Sequence, residues 1–178
     1  MSTARRARYG RIERMVDALL EADGVAEVPP VPVEAMIRRR GISLQKGDLE
    51  DVSGLLVRDG SSSIIGVNGG HPVVRQRFTI AHEFGHFLLH EGIVEHVDHG
   101  YRVNYRNDES SLARDVEEIE ANFFAASLLM PKRMLDVCDG VGAIDDDQRV
   151  SKLARLFNVS AHAMSLRLSN VYRRFAPY

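Results

Sequence analysis

Apolar positions along the chain recur with two periods, and the changes of period mark out the elements. Ile12, Met15, Val16, Leu19 and Leu20 return at helical spacing with charges between them, which predicts a helix over 9–22, stopped at Asp23-Gly24. Pro29, Pro30 and Pro32 stiffen the next stretch. A short helix is expected over 33–40, ended by Gly41, and then a short strand over 42–44. Residues 54–68 read as a hairpin: Leu55-Leu56-Val57 run into Asp59-Gly60, and Ile64-Ile65-Gly66-Val67 return.

A helix follows, firm over 77–90, with Pro72 as a possible start and Gly92 as a stop. Residues 92–112 are rich in His, Asp, Asn and Tyr, show no period and are expected to be loop. The strongest helix is expected over 111–130, with Ile119, Phe123, Ala126 and Met130 on one side and Pro131 at its end. A short helix over 132–137 and two more over 148–157 and 160–170, around Asn158-Val159, complete the reading. No internal repeat is visible.

Length and composition narrow the class. The 178 residues, 44% hydrophobic, suffice for one globular domain and exclude a globally disordered chain. The net charge of −2 and a pI near 6.4 argue against a protein built to coat nucleic acid. Local charge is uneven: Arg5, Arg6, Arg8, Arg11 and Arg14 crowd the N-terminus, and Asp145, Asp146 and Asp147 form an acidic knot. Both read most simply as solvated surface. The lone Cys138 excludes an intramolecular disulfide framework and a cysteine-cluster metal site. No apolar run approaches the ~20 residues needed to cross a bilayer. The basic N-terminal stretch lacks the apolar core of a signal peptide, so a cytoplasmic protein is expected.

His82-Glu83-Phe84-Gly85-His86 has the form H-E-x-x-H and lies in the apolar helical context of Phe78-Thr79-Ile80-Ala81 and Phe87-Leu88-Leu89. Residues four apart on a helix differ by about 40° around the axis and about 6 Å along it, so both imidazoles can reach one ion. Glu83, about 100° from His82, can approach a metal-bound water without displacing a ligand. Zinc suits two imidazoles and one carboxylate, with the fourth position left to water and Glu83 as its proton acceptor.

A third ligand must come from elsewhere. Leu89 and Gly92 occupy the places where one variant of the motif has Gly and His, so that variant does not apply. His90 lies about 12 Å along the same helix from His82 and cannot share an ion with it, which leaves it beside the site or on the surface. His96 and His99 are weaker candidates in the irregular stretch. Glu118 and Asn122 share a face of the second long helix. One of them can ligate zinc while the other takes the spare N–H of a ligand histidine. Glu117 and Glu120 are rivals.

Taken together, the segments Arg77–His90 and Glu118–Pro131, in that order, resemble the ImmA/IrrE family of zinc metallopeptidases. The resemblance extends over about residues 30–170. It implies an α+β, zincin-like metallopeptidase core, with a small β-sheet packed on the motif helix and on a second ligand helix, followed by C-terminal helices. It assigns one zinc ion to His82, His86 and Glu118 and catalysis to Glu83. Asn122 falls where related enzymes often place an acidic residue beside a metal ligand. The function implied is a regulatory endopeptidase that relieves repression by cutting, or promoting the cutting of, a helix-turn-helix repressor.

The expected organisation is a metallopeptidase domain over 1–140, with 1–8 flexible, and a helical, helix-turn-helix-like extension over 141–178 packed on or beside it. Arg155, Arg167, Arg173 and Arg174 lie in or near that extension. Near-neutral overall charge nevertheless argues against direct DNA binding, because phosphate contacts need a dense basic surface. Tyr101 and Tyr105, with His96 and His99, are candidates for substrate binding or oxyanion stabilisation, since they occupy the expected cleft loop. Another reading stays open: a non-catalytic, zinc-containing module that binds DNA or a repressor. No membrane association is expected.

Overall fold

Ile12, Val16 and Leu20, spaced by four, form the buried stripe of α1 (Tyr9–Ala22), and Val33, Met36 and Ile37 that of α2 (Val33–Arg39). The computed structural model describes residues 7–25, 27–60, 62–91, 94–98 and 109–173, with side chains from 116 onward in the last stretch. β1 (Ile42–Gly47), β2 (Gly54–Asp59), β3 (Ser62–Asn68) and β4 (Glu95–Asp98) form one sheet in the order β1-β3-β2-β4. β1 and β3 are parallel, and β2 is antiparallel to both β3 and β4.

β4 corrects the expectation of loop over 92–112. Its sequence, Glu-His-Val-Asp, has no apolar alternation, and its strand character comes from the ladder with β2, where His96 pairs with Leu56 and Val97 with Leu55. The end of the same stretch is already helical, because α4 runs Glu109–Leu129.

α3 (Val73–Leu89) starts directly after Pro72, four residues before the firm part read from periodicity. β2 and β3 pack on it, and Leu56, Ile65 and Val67 join Ile80 and Phe84 in one buried cluster. A Cβ added at Gly54 would lie 2.2 Å from Thr79 Cγ2, so only glycine lets β2 come this close to the motif helix. At the other end of α3, Arg58 of β2 donates to the carbonyls of Phe87 (2.6 Å), His86 (3.3 Å) and His90 (3.4 Å). The helix end thereby gains the partners it cannot supply for itself.

α4 packs along α3 and buries Ala121, Phe124, Ala125, Leu128 and Leu129. After α5 (Lys132–Val137) and a 3-10 turn at Val141–Ala143, α6 (Asp147–Phe157) and α7 (Ala161–Tyr172) form a helix pair. Asp146 caps α6, Asn158 ends it in the left-handed conformation (φ 54°), and Ser160 Oγ caps α7 through the Ala163 N–H. Met164 and Leu168 of α7 belong to the same buried cluster as Ile12 and Phe124. Arg167, 3% exposed, donates to the Met130 carbonyl at 3.1 Å. Among the described residues no helix is long and apolar enough to cross a membrane.

Candidate metal centre

His82 and His86 project from one face of α3 with their Nε2 atoms 3.1 Å apart. Glu118 reaches them from α4, its Oε2 3.4 Å from His82 Nε2 and its Oε1 3.2 Å from His86 Nε2. Ligands held about 2.0–2.1 Å from a tetrahedral ion sit about 3.3–3.4 Å from one another. The three separations therefore fit a shared divalent ion, and two imidazoles with one carboxylate are a donor set that zinc accepts. Asn122, one turn beyond Glu118, places Oδ1 3.1 Å from His82 Nδ1. The amide oxygen can only accept, so Nδ1 donates and the Nε2 lone pair points inward. Both histidines are buried, whereas the Glu118 side chain is 40% exposed.

Glu83 is fully buried. Its Oε2 lies 2.9 Å from His96 Nδ1, while its Oε1 is buried without a hydrogen-bond partner. An orphaned carboxylate oxygen is costly, and a water delivered to this position would satisfy it. His96 spans the two acids: its Nε2 is 2.8 Å from Glu118 Oε1, and its ring stacks on His86 with centroids 3.8 Å apart. Within the described residues, His82, His86, His96 and Glu118 form one group able to hold a metal ion, and His82, Glu83 and Asp98 another.

Burial and mutual charge set the protonation states. Burial disfavours charge on His96, but hydrogen bonds to Glu118 and Glu83 outweigh it and raise the pKa to about 10. Burial likewise opposes the charge on Glu118, yet hydrogen bonds from His82, His86 and His96 hold it well below the usual carboxylate range. At Glu83 burial dominates and raises the pKa, with His96 pulling the other way. His86 is driven down to about 4 by burial, against the pull of Glu118. At His82 burial is outweighed by Glu118 and the Glu83 charge, and the pKa rises.

The structure thus brings His82, Glu83, His86, Glu118 and Asn122 together. It adds His96, which the sequence offered only as a weak candidate, because pairing of β4 with β2 turns that ring into the centre. His90 is buried, with Nδ1 3.0 Å from His86 Nδ1. Glu120 faces away from the two metal-facing nitrogens, toward His90 and Arg8. Tyr101, Tyr105 and His99 lie outside the described residues.

The profile of the IrrE N-terminal-like domain, a peptidase family, matches residues 37–169. Metallopeptidase ImmA of Bacillus subtilis (strain 168) is 29% identical over 132 residues, covering 73% of this chain and 70% of that protein. A solved structure of a Mycobacterium tuberculosis transcriptional regulator superposes with a TM-score of 0.57 at 17% identity. That match covers 94% of this chain but only 48% of the regulator, so the chain spans about half of that protein, and the likeness concerns the fold alone. With the family profile spanning most of its length, the chain belongs to the ImmA/IrrE family of metallopeptidases.

Proposed function

We propose that the protein is a zinc-dependent regulatory endopeptidase, with His82, His86 and Glu118 as metal ligands and Glu83 as the catalytic base. The observation that carries this reading is the convergence of three ligand-type side chains from two helices beside a buried carboxylate oxygen with no partner. When bound, the ion supplies Lewis acidity, lowering the pKa of a water to about 7 and polarising a carbonyl.

The protein residues do the rest. Glu83 Oε1 takes the proton from the attacking water and returns it to the leaving amine. Burial raises the proton affinity of Glu83, which suits a base that must also act as an acid. Asn122 orients His82, and His96 Nδ1 holds Glu83 Oε2, leaving Oε1 free for the water.

The substrate we propose is a specific protein partner, a helix-turn-helix transcriptional repressor in the cytoplasm. Remote contacts with such a partner would position the scissile bond. Direct DNA binding is not part of this reading. Of the basic residues near α6 and α7, Arg167 is buried on the Met130 carbonyl and is not free for phosphates. The test is metal analysis of the purified protein together with cleavage assays on casein, short peptides and the repressor encoded beside this gene. One zinc per chain and selective cutting of the repressor are expected. A protein that binds zinc but cuts nothing, and binds DNA in a salt-dependent way, would instead be the non-catalytic module.

A further inference from the structure

His86 has a second ring nitrogen, and its surroundings form a chain that leaves the metal centre. His86 Nδ1 lies 3.0 Å from His90 Nδ1, one turn further along α3. With His86 Nε2 turned to the ion, Nδ1 carries the ring proton, so His86 donates and His90 Nδ1 accepts. A neutral His90 then carries its own proton on Nε2, which faces Glu120 Oε2 at 3.4 Å. Glu120 is only 2% exposed and receives three hydrogen bonds from one residue. The Arg8 backbone N–H (2.8 Å) and Nε (2.9 Å) donate to Oε1, and Nη2 (2.7 Å) donates to Oε2. Each proton in this chain has a single place to go.

We propose that Arg8, Glu120 and His90 form a positioning relay that fixes the tautomer and ring orientation of His86 and thereby tightens retention of the divalent ion. The proposal rests on the metal reading above. Partners behind a ligand histidine raise its basicity and hold its ring, and removing them typically costs about 10–100-fold in metal affinity or activity. Glu120 can play this part while buried because the Arg8 fork engages both of its oxygens.

Arg8 is itself placed by α1. Tyr9, the first residue of that helix, packs edge-on against Phe123 of α4 with ring centroids 4.7 Å apart, three residues beyond Glu120. Arg8 falls in the stretch the sequence assigns to a free basic tail, yet its guanidinium is spent on a buried acid. Docking of the first turn of α1 and retention of the ion are therefore coupled.

The test uses the full chain loaded with Co2+ or Zn2+ and the variants Arg8→Ala, Arg8→Lys, His90→Leu, His90→Gln and Glu120→Gln. Arg11→Ala serves as a control on the same basic stretch. Three quantities are read: ion affinity by chelator competition, the visible Co2+ spectrum, and thermal unfolding of the metal-free protein. Arg8→Ala, His90→Leu and Glu120→Gln should bind the ion about 10–100-fold more weakly, with a changed Co2+ spectrum. Arg8→Lys and His90→Gln, which keep a donor and an acceptor in place, should recover part of the affinity, and Arg11→Ala should match the parent.

Parent-like affinity and spectrum in His90→Leu and Arg8→Ala would overturn the relay. So would weakening that only follows loss of metal-free stability, with the spectrum unchanged and no rescue by the conservative variants. If Arg8→Ala fails to fold, His90→Leu and His90→Gln decide alone. A parent protein that binds neither ion would instead bring down the metal reading and the relay with it.

Discussion

Gly85 lies against Ala121 so closely that a Cβ on the glycine would sit 3.2 Å from the Ala121 Cα and 3.3 Å from its carbonyl oxygen. The same atom would be 3.0 Å from Phe124 Cδ1. Gly85 directly precedes His86 and Ala121 lies three residues beyond Glu118, so this close approach of α3 and α4 flanks the centre. Without a side chain at 85, Glu118 comes within 3.4 Å of both imidazoles.

Gly85→Val should therefore push the helices apart. Overpacking of this kind costs about 1–3 kcal/mol, and valine gains little helix propensity over glycine to offset it. Chemical denaturation should show that loss together with weaker metal binding. Unchanged stability and full metal occupancy would mean the interface yields freely, and the helix spacing would not explain the ligand geometry.

Glu83→Gln should separate chemistry from folding. The amide fills the same space and leaves the ligand set intact, but it cannot take a proton from water. We expect normal metal content and a rate lowered by about 10²–10⁴-fold on the cognate substrate. Cleavage at the parental rate would remove Glu83 from the mechanism.

His96→Asn tests the side chain that spans both acids. Three ligands remain in this variant, so one ion per chain should still bind. Activity should fall by about 10–100-fold because Glu83 loses the partner that holds its Oε2. Loss of the ion in this variant would make His96 a ligand in place of a neighbour.

Arg167→Ala addresses how α7 supports the ligand helix. Arg167 satisfies the Met130 carbonyl just after α4 ends and lies over the Phe123 ring at 5.7 Å. Its removal leaves a buried acceptor without a donor and opens a packing gap, at a cost of about 1–3 kcal/mol by urea denaturation. A variant as stable as the parent would show that water replaces the guanidinium without loss.

What could be read from the sequence was whatever is encoded locally. The periods of Ile12 to Leu20, of residues 77–90 and of 111–130 fixed where helices form, because a helix needs only its own backbone bonds and one apolar stripe. The H-E-x-x-H spacing places two imidazoles side by side for the same reason: a regular helix dictates it. Residue reasoning by itself favoured the face shared by Glu118 and Asn122, with Glu117 and Glu120 as rivals, and resemblance to a family pointed to Glu118. Tertiary structure separates them: Glu118 and Glu120, two apart, lie about 200° from each other around the helix, and the packing of Ala121 and Phe124 on α3 decides which faces the histidines. The contacts of His96, a weaker candidate in the sequence, and of Arg8 were legible only in three dimensions. His96 belongs to a strand that exists by pairing with β2, and Arg8 reads as solvated charge until α1 docks and sets it on Glu120. Contacts between residues far apart in the chain leave no local period, so only the folded chain could set His96 on Glu83 and Glu118 and Arg8 on Glu120.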